Sequence, residues 1–132
     1  MPDVSWKAAP EDHDYPAAAA YLSLLAAPGE VAELLVLLHE AAAQHFKAKD
    51  ILRAAGLPLL PHDNPHVAAD LRKIAHGIEL SPVLLVRGEL SGGRPLHIAD
   101  GYHRVCASYY TDENTDIPCR LAARDHATAA ER

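Results

Sequence analysis

The chain has 132 residues, 49% of them hydrophobic, and a formal net charge of −6. This length favours a single domain whose core holds together without disulfide bonds. An acidic chain repels the phosphate backbone of DNA and RNA, so the charge argues against a general nucleic-acid binder. The two cysteines, Cys106 and Cys119, lack the CxxC spacing of a thiol-based zinc site and indicate buried, reduced thiols.

The N-terminal part of the chain is typical of helices. Residues 1–13 are expected to form a loose tail, and the alanine-rich run 16–27 a first helix. A second helix is predicted from about residue 30 to residue 44, and a short third helix at 47–55. The second helix is apolar over more than one face, which indicates either deep burial or a homodimer interface formed by the N-terminal helices.

The remaining elements alternate in type and are short. Three prolines between residues 57 and 65 exclude a regular helix, so a loop or extended strand is expected there. The elements predicted after it are a helix at 67–75, a strand at 82–87, a hairpin turn at 88–95, a strand at 96–99, a helix at 101–110 and a strand at 117–122. Helices followed by a mixture of short strands and helices predict an α+β fold with a helical N-terminal part.

One pentapeptide, Asp100-Gly101-Tyr102-His103-Arg104, stands where a strand is expected to turn sharply into a helix. Gly101 permits a backbone turn that a side chain would block. The first amides of the helix have no intrahelical partners, and together with the helix dipole they attract an anion. Arg104 can hold a phosphate through two parallel hydrogen bonds, and His103 can donate or move a proton near neutral pH. This corner therefore predicts a phosphate site.

Asp100 leaves several roles open at the corner. It can cap the helix by accepting from an amide one turn on, which would occupy donors that a phosphate needs. It can instead hold His103 or a metal ion, or act as a general base on a substrate hydroxyl. A capped turn that binds no ligand is the competing interpretation of the whole corner.

The corner resembles the phosphate-binding motif of the ParB/sulfiredoxin superfamily, in which a strand, a glycine, one or two residues and an arginine open a helix. Upstream, Leu-Pro-His-Asp-Asn-Pro at 60–65 looks like the Asn-Pro segment that begins that fold. Residues 70–77 and 81–87 are similar to its helix, glycine and proline-initiated strand, and 117–121 to its closing strand. The resemblance implies a compact ParB/sulfiredoxin-like domain at 57–123. The sequence pattern adds a helical N-terminal segment at 1–56, which the resemblance does not cover, and a tail at 124–132.

Members of this superfamily bind nucleotides through the corner. Some hydrolyse CTP as DNA-sliding clamps, some are ATP- or ADP-dependent kinases that act on serine, and sulfiredoxins use ATP to repair over-oxidised peroxiredoxins. The kinases have an Asp-Gly-His-His-Arg corner close to this one. The resemblance therefore implies binding of ATP, ADP or CTP, with catalysis by His103 and Asp100. The residues implied to bind the nucleotide are Gly101, Tyr102, His103, Arg104 and Asn64.

Metal ligands are a weaker prediction. The triplet His97, Asp100 and His103 spans an expected strand and an expected helix, which does not give one metal-binding face. Around Asn64, the residues His62, Asp63 and His66 could also ligate a metal ion, but a solvated loop is the favoured interpretation of this segment. No resident metal site is predicted, whereas Mg²⁺ arriving with a nucleotide suits oxygen ligands and phosphate.

The positions at which this chain departs from the superfamily's pattern help to rank the functions known in that superfamily. Tyr102 stands where sulfiredoxins have their reactive cysteine, which argues against that repair activity. The favoured hypothesis is a nucleotide-dependent phosphotransferase or nucleoside triphosphatase. The alternative is a non-catalytic module that binds a nucleotide or another phosphorylated small molecule and acts through a partner or dimer surface. A DNA-associated protein is third, because the clamps carry a helix-turn-helix region that is not recognised here.

The chain is expected to be cytoplasmic and not to bind a membrane. Residues 1–14 are polar and acidic, without the apolar centre of a signal peptide. The longest apolar run, 31–38, is too short to span a bilayer.

Overall fold

The computed structural model describes residues 3–123, which form five helices and one four-stranded sheet. The helices are α1 (Asp14–Leu22), α2 (Pro28–Glu40), α3 (Ala48–Ala55), α4 (Pro65–Ala75) and α5 (Tyr102–Thr111). The strands are β1 (Gln44–Lys47), β2 (Val83–Val86), β3 (His97–Asp100) and β4 (Asp116–Ala122). This arrangement confirms the predicted α+β class with a helical N-terminal part, while the predicted tail at 124–132 lies outside the described residues.

The sheet has the strand order β1-β4-β2-β3. The two central strands, β4 and β2, run parallel, with Val83 opposite Cys119 and Val86 opposite Ala122. Both edge strands run antiparallel to their neighbours. The continuous apolar sequence of β2 fits a central strand, because both of its faces are covered.

Alternating side chains of the sheet divide the core into two layers. Val83 and Leu85 pack in a first core with α3, α4 and α5. Leu84, between them in β2, points into a second core that is formed with α1 and α2. In α2 the buried positions are Val31, Leu34 and Leu38, so the apolar stripe of this helix packs on the sheet.

The predicted second helix is too long at its C-terminal end. The structure ends α2 at Glu40, and Gln44–Lys47 forms β1, which pairs with β4. The alanines after Glu40 have helical propensity, but pairing with β4 and packing of Phe46 on the first core outweigh that local preference. β1 and α3 come from the predicted segment 1–56 and share the sheet and the first core with later residues, so the boundary at 56 stays a prediction.

The residues around the corner follow their predicted elements. The helix expected at 67–75 begins two residues earlier, at Pro65, and the strand and helix expected at 96–99 and 101–110 are β3 and α5. No helix within residues 3–123 is both long enough and apolar enough to cross a bilayer.

Candidate functional site

The corner between β3 and α5 turns on Gly101. This residue has a φ of 113°, in a region that side chains disfavour. A Cβ atom placed on it would lie 2.8 Å from Cγ2 of Val83 and 2.9 Å from Nη2 of Arg104. Both the backbone conformation and the available space therefore require glycine here.

The first amides of α5 are open. The carbonyl of Gly101 accepts the first intrahelical hydrogen bond, from the Val105 N–H at 3.0 Å, and no side chain caps the helix. Within residues 3–123, the amides of Tyr102, His103 and Arg104 have no hydrogen-bond partner. By contrast, the first two amides of α3 donate to the carbonyls of Thr115 and Glu113. The start of α5 can thus offer three convergent donors to an anion.

Asp100 does not cap α5, so the cap interpretation of this residue is wrong. Its Oδ2 accepts a hydrogen bond from Nη2 of Arg104 at 3.0 Å. A charged guanidinium four residues on is a stronger donor than a neutral amide, which accounts for the direction of the carboxylate. This pairing is not among the roles that the sequence leaves open for Asp100.

Arg104 is enclosed by a buried polar network from α1 and the start of β2. Its Nη2 lies 3.8 Å from Oδ2 of Asp14, whose side chain is 3% exposed, and 3.4 Å from the carbonyl of Pro82. The hydroxyl of Ser81 donates a short hydrogen bond to the same Asp14 oxygen and accepts one from the Glu11 amide at 3.1 Å. No motif in the sequence indicates Asp14 or Ser81, because tertiary packing alone brings them to the corner.

Burial raises the pKa of Asp100, and the nearby Asp14 carboxylate adds to this effect, although Arg104 opposes both. Since the folded-state pKa lies above the unfolded value, the folded protein binds more protons between the two values. We therefore expect this group's contribution to the free energy of unfolding to fall as pH rises through that window. Urea unfolding across this pH window should show that the free energy of unfolding falls more steeply with pH in the native chain than in Asp100→Asn. Equal slopes in the two proteins would contradict a raised pKa at Asp100.

A histidine pair lies beside the open amides. The ring of His103, in the first turn of α5, has its centroid 4.7 Å from that of His66, in the first turn of α4. Burial and the neighbouring His66 lower the pKa of His103, although Asp70 opposes them. Burial in turn raises the pKa of Asp70. His66 was predicted to lie in a loop, but the Pro65 start of α4 places it at the corner.

The other two residues implied to bind a nucleotide make internal contacts. The Tyr102 hydroxyl donates to the carbonyl of Pro58 at 2.6 Å, which ties α5 to the loop before α4. Oδ1 of Asn64 accepts from the amides of His66 at 3.0 Å and Val67 at 3.2 Å, so Asn64 caps α4. The structure brings all five of these residues to one region, and their binding roles stay predictions.

We expect Asn64→Ala to lower the free energy of unfolding by about 1 kcal/mol, because two amides of α4 lose their acceptor. Asn64→Asp and Asn64→Ser keep an acceptor and should retain most of the stability. Chemical denaturation of the three variants measures the difference. A loss that is the same for alanine and aspartate would show that the cap is not the cause.

One group of side chains has a spacing that a metal ion could use. Ligand atoms of Glu11, His13 and Asp14 lie within 4.8 Å of one another. Nε2 of His13 is 3.0 Å from Glu11 and 3.3 Å from Asp14. However, the Arg104 guanidinium and the positive end of α1 both repel a cation at Asp14. Hydrogen bonding between these groups accounts for the cluster without an ion.

A cavity of about 350 Å³ lies between α1, α2 and the hairpin that joins β2 to β3. Its walls include Leu22, Leu34 and Val86, and none of the corner residues lines it. The corner residues Gly101 to Arg104 are half-buried and lie apart from this cavity.

Comparison with protein-family models, with curated proteins and with solved structures finds no match to this chain. The likeness to the ParB/sulfiredoxin superfamily thus depends on the corner and on the ordered segments around it.

Proposed function

We propose that the corner at Gly101 binds the phosphate of a nucleotide, and that the chain is a ParB-like nucleotide-binding domain. The observation that carries this proposal is the set of three unpartnered amides at the start of α5. Free N–H groups that converge at the positive end of a helix are an established arrangement for phosphate. The glycine that leaves them uncovered is also the glycine of the superfamily's motif.

The charges around the amides support an anionic ligand. His66 and His103 lie together at the mouth of the corner, and each can donate to a phosphate oxygen. The positive charge of Arg104 lies at the base of the turn, 2.9 Å from the position of a Cβ on Gly101. Because Asp100 and Asp14 offset that charge, the amides and histidines make the first contacts with the ligand.

The favoured activity is phosphoryl transfer or nucleoside triphosphate hydrolysis. In this proposal the helix terminus stabilises charge on the transferring phosphate, and Mg²⁺ accompanies the nucleotide. In this proposal His103 is the base that accepts a proton from an attacking hydroxyl, since burial lowers its pKa and so favours the neutral imidazole in the ligand-free protein. Asp100 is the second candidate base.

A non-catalytic binding module is the second candidate, and one observation favours it. Asp100 bonds to Arg104, and this pairing takes up the carboxylate that a kinase-like reaction would use. In such a module, ligand binding would act through a partner or a second copy. A dimer through the N-terminal helices is part of this candidate, with exposed Leu24, Leu25 and Val36 available on α2 and the turn before it.

Nucleotide binding is tested by thermal unfolding of the full chain with ATP, ADP and CTP, each with and without Mg²⁺. A ligand of the folded state raises the melting temperature in proportion to the logarithm of its concentration above Kd. Phosphate release or transfer that is lost in His103→Ala, with binding retained, would favour the enzyme; binding without turnover would favour the module. If no nucleotide changes the melting temperature, both the enzyme and the binding module are contradicted.

We expect the His103 imidazole to titrate below the ordinary histidine value in the ligand-free protein, because it is partly buried beside His66. A bound phosphate favours the protonated imidazole, so pyrophosphate should raise this pKa. Proton NMR of the ring measures both states. A His103 pKa that pyrophosphate leaves unchanged would place the anion elsewhere.

A cytoplasmic location belongs to this proposal, and the two buried, unpaired thiols of Cys106 and Cys119 support a reducing compartment. Association with DNA is the weakest alternative, because the net charge of −6 opposes it.

A further inference from the structure

The cavity between α1, α2 and the hairpin that joins β2 to β3 reaches the second core. Its floor includes Leu22, Leu34 and Ala122, which are 2%, 6% and 1% exposed and belong to that core. Pockets for small molecules have volumes of about 300–1,000 Å³, and an apolar cavity of about 150 Å³ already accepts benzene. The volume of about 350 Å³ therefore suits an apolar group of about eight to twelve carbon atoms.

Backbone hydrogen bonds fix the walls of this cavity. In the hairpin, Glu89 and Arg94 exchange two backbone hydrogen bonds of 2.9 Å, and a Cβ placed on Gly88 would lie 2.3 Å from the Arg94 carbonyl oxygen. In the turn after α1, the amide of Ala26 donates to the carbonyl of Leu22 at 3.0 Å. The cavity is thus preformed, so a ligand does not have to order its walls on binding.

His97 brings a polar group to the apolar cavity. In β3 it lies on the same face of the sheet as Ala99, which packs in the second core, so its ring is on the side of α1. The Tyr21 hydroxyl lies 2.8 Å from its Nδ1 atom. A hydroxyl that donates to Nδ1 places the ring proton on Nε2, and no residue in the described part of the chain accepts from Nε2. His97 therefore offers a donor at the cavity wall.

The charged groups around the cavity favour an anion. Two carboxylates line it, those of Glu30 and Glu89, and both already have interaction partners. One partner of Glu89 is Arg94, at 4.0 Å in an exposed pair, which contributes little and leaves the arginine able to turn to a ligand. Arg87 is exposed and forms no ion pair within residues 3–123. The rim thus has a cation to spare, and no carboxylate has to be displaced to use it.

We propose that this cavity binds a small amphipathic carboxylate, with an apolar body of about eight to twelve carbon atoms against Leu22 and Leu34 and its head at the rim near Arg87 and His97. None of the corner residues lines the cavity, so this second site is separate from the phosphate corner. It does not rest on the proposed function.

The first test compares octanoate, octan-1-ol and octylammonium, which have eight carbon atoms each and differ in charge. Calorimetry with the full chain measures each Kd. Octanoate should bind saturably, one per chain, and about tenfold more tightly than octylammonium, with the alcohol between them. From butanoate to octanoate, each added CH₂ should tighten the Kd about fourfold, because it buries apolar surface. Equal affinities for the three head groups, or no saturable binding of octanoate, would overturn the proposal.

A pair of alanine variants locates the apolar body. Ala26 is half-buried and lines the cavity, whereas Ala32 is exposed on α2 and does not. Ala26→Phe should fill the cavity and abolish octanoate binding, and Ala32→Phe should leave the Kd unchanged. Octanoate binding that survives in a folded Ala26→Phe protein, or is lost equally in Ala32→Phe, would place the ligand elsewhere and overturn the proposal.

A pair of arginine variants locates the head group and tests the proposal even if Ala26→Phe fails to fold. Arg87→Gln should weaken octanoate binding about fivefold and leave octan-1-ol binding unchanged, because only the carboxylate uses the cation. Arg53→Gln is the control, since Arg53 is 85% exposed on α3 and does not line the cavity. An equal weakening of both ligands in Arg87→Gln, or the same loss in Arg53→Gln, would contradict the assigned head group.

Three further results would identify another occupant and overturn the proposal. Octanoate binding that appears only after residues 124–132 are removed would make those residues the occupant. Binding that appears only when sedimentation shows a dimer dissociating on dilution would make a second copy the occupant. Competition between octanoate and pyrophosphate would place the carboxylate at the corner. If octanoate binds as expected and no nucleotide or pyrophosphate binds, the proposed function fails and this site stands.

Discussion

Gly101→Ala is expected to lower the free energy of unfolding by about 2–5 kcal/mol, among the largest effects of any single methyl group added to this chain. Two costs combine. Alanine is strained at a φ of 113°, and its Cβ would lie 2.8 Å from Val83 in the first core and 2.9 Å from the Arg104 guanidinium. Relief of the second contact requires movement of Arg104, so anion binding at the corner should weaken as well.

Gly29→Ala is the control for Gly101→Ala. Gly29 lies in the first turn of α2, lacks a positive φ, and has no atom within 4 Å of the position that an added methyl group would take. Alanine there should change stability by no more than about 1 kcal/mol, and in the stabilising direction. Urea unfolding of both variants measures the difference. A Gly101→Ala protein as stable as Gly29→Ala would contradict the geometry of the turn.

Arg104→Met is expected to cost about 3–5 kcal/mol near neutral pH, because it leaves two largely buried carboxylates without their cation. The side chains of Asp14 and Asp100 are 3% and 20% exposed, so solvent screens little of this loss. Burial raises the pKa of Asp100, and protonation of this carboxyl removes part of the cost, so the difference from the native chain should shrink as pH falls. Urea unfolding at neutral and acidic pH measures it.

Arg53→Met is the matched control for Arg104→Met. Arg53 also pairs with an aspartate, Asp50, at 3.5 Å, but its side chain is 85% exposed and that of Asp50 46%. An exposed ion pair contributes little, so no loss comparable with that of Arg104→Met is expected. Two results would contradict the buried network: a similar loss of stability in both variants, or a loss in Arg104→Met that does not change with pH.

The sequence predicts the corner well because its determinants are local. Gly101 and the apolar spacing of the residues after it define a turn and a helix start within a few positions, and the structure has both. The strand β1 is different. Its residues follow an alanine run that favours helix, and only pairing with β4, more than seventy residues later, makes them a strand.

The residues that surround Arg104 could not be predicted for the same reason. Asp14 and Ser81 reach the corner because α1 packs on the sheet next to the start of β2, which no local spacing encodes. The contact made by Asp100 also belongs to this network, since its carboxylate pairs with Arg104 while the N-cap position of α5 is taken by Gly101. A motif thus indicates where an anion could bind, and tertiary contacts decide which donors it meets.

The most direct test of the central claim is a ¹⁵N–¹H NMR titration of the full chain with ADP and with inorganic pyrophosphate. Binding at the start of α5 predicts saturable shifts that are largest for the amides of Gly101, Tyr102, His103 and Arg104. The side chains of His66 and His103 should respond at the same ligand concentration. Saturable shifts centred elsewhere, or no shift with either ligand, would contradict the anion site at this corner.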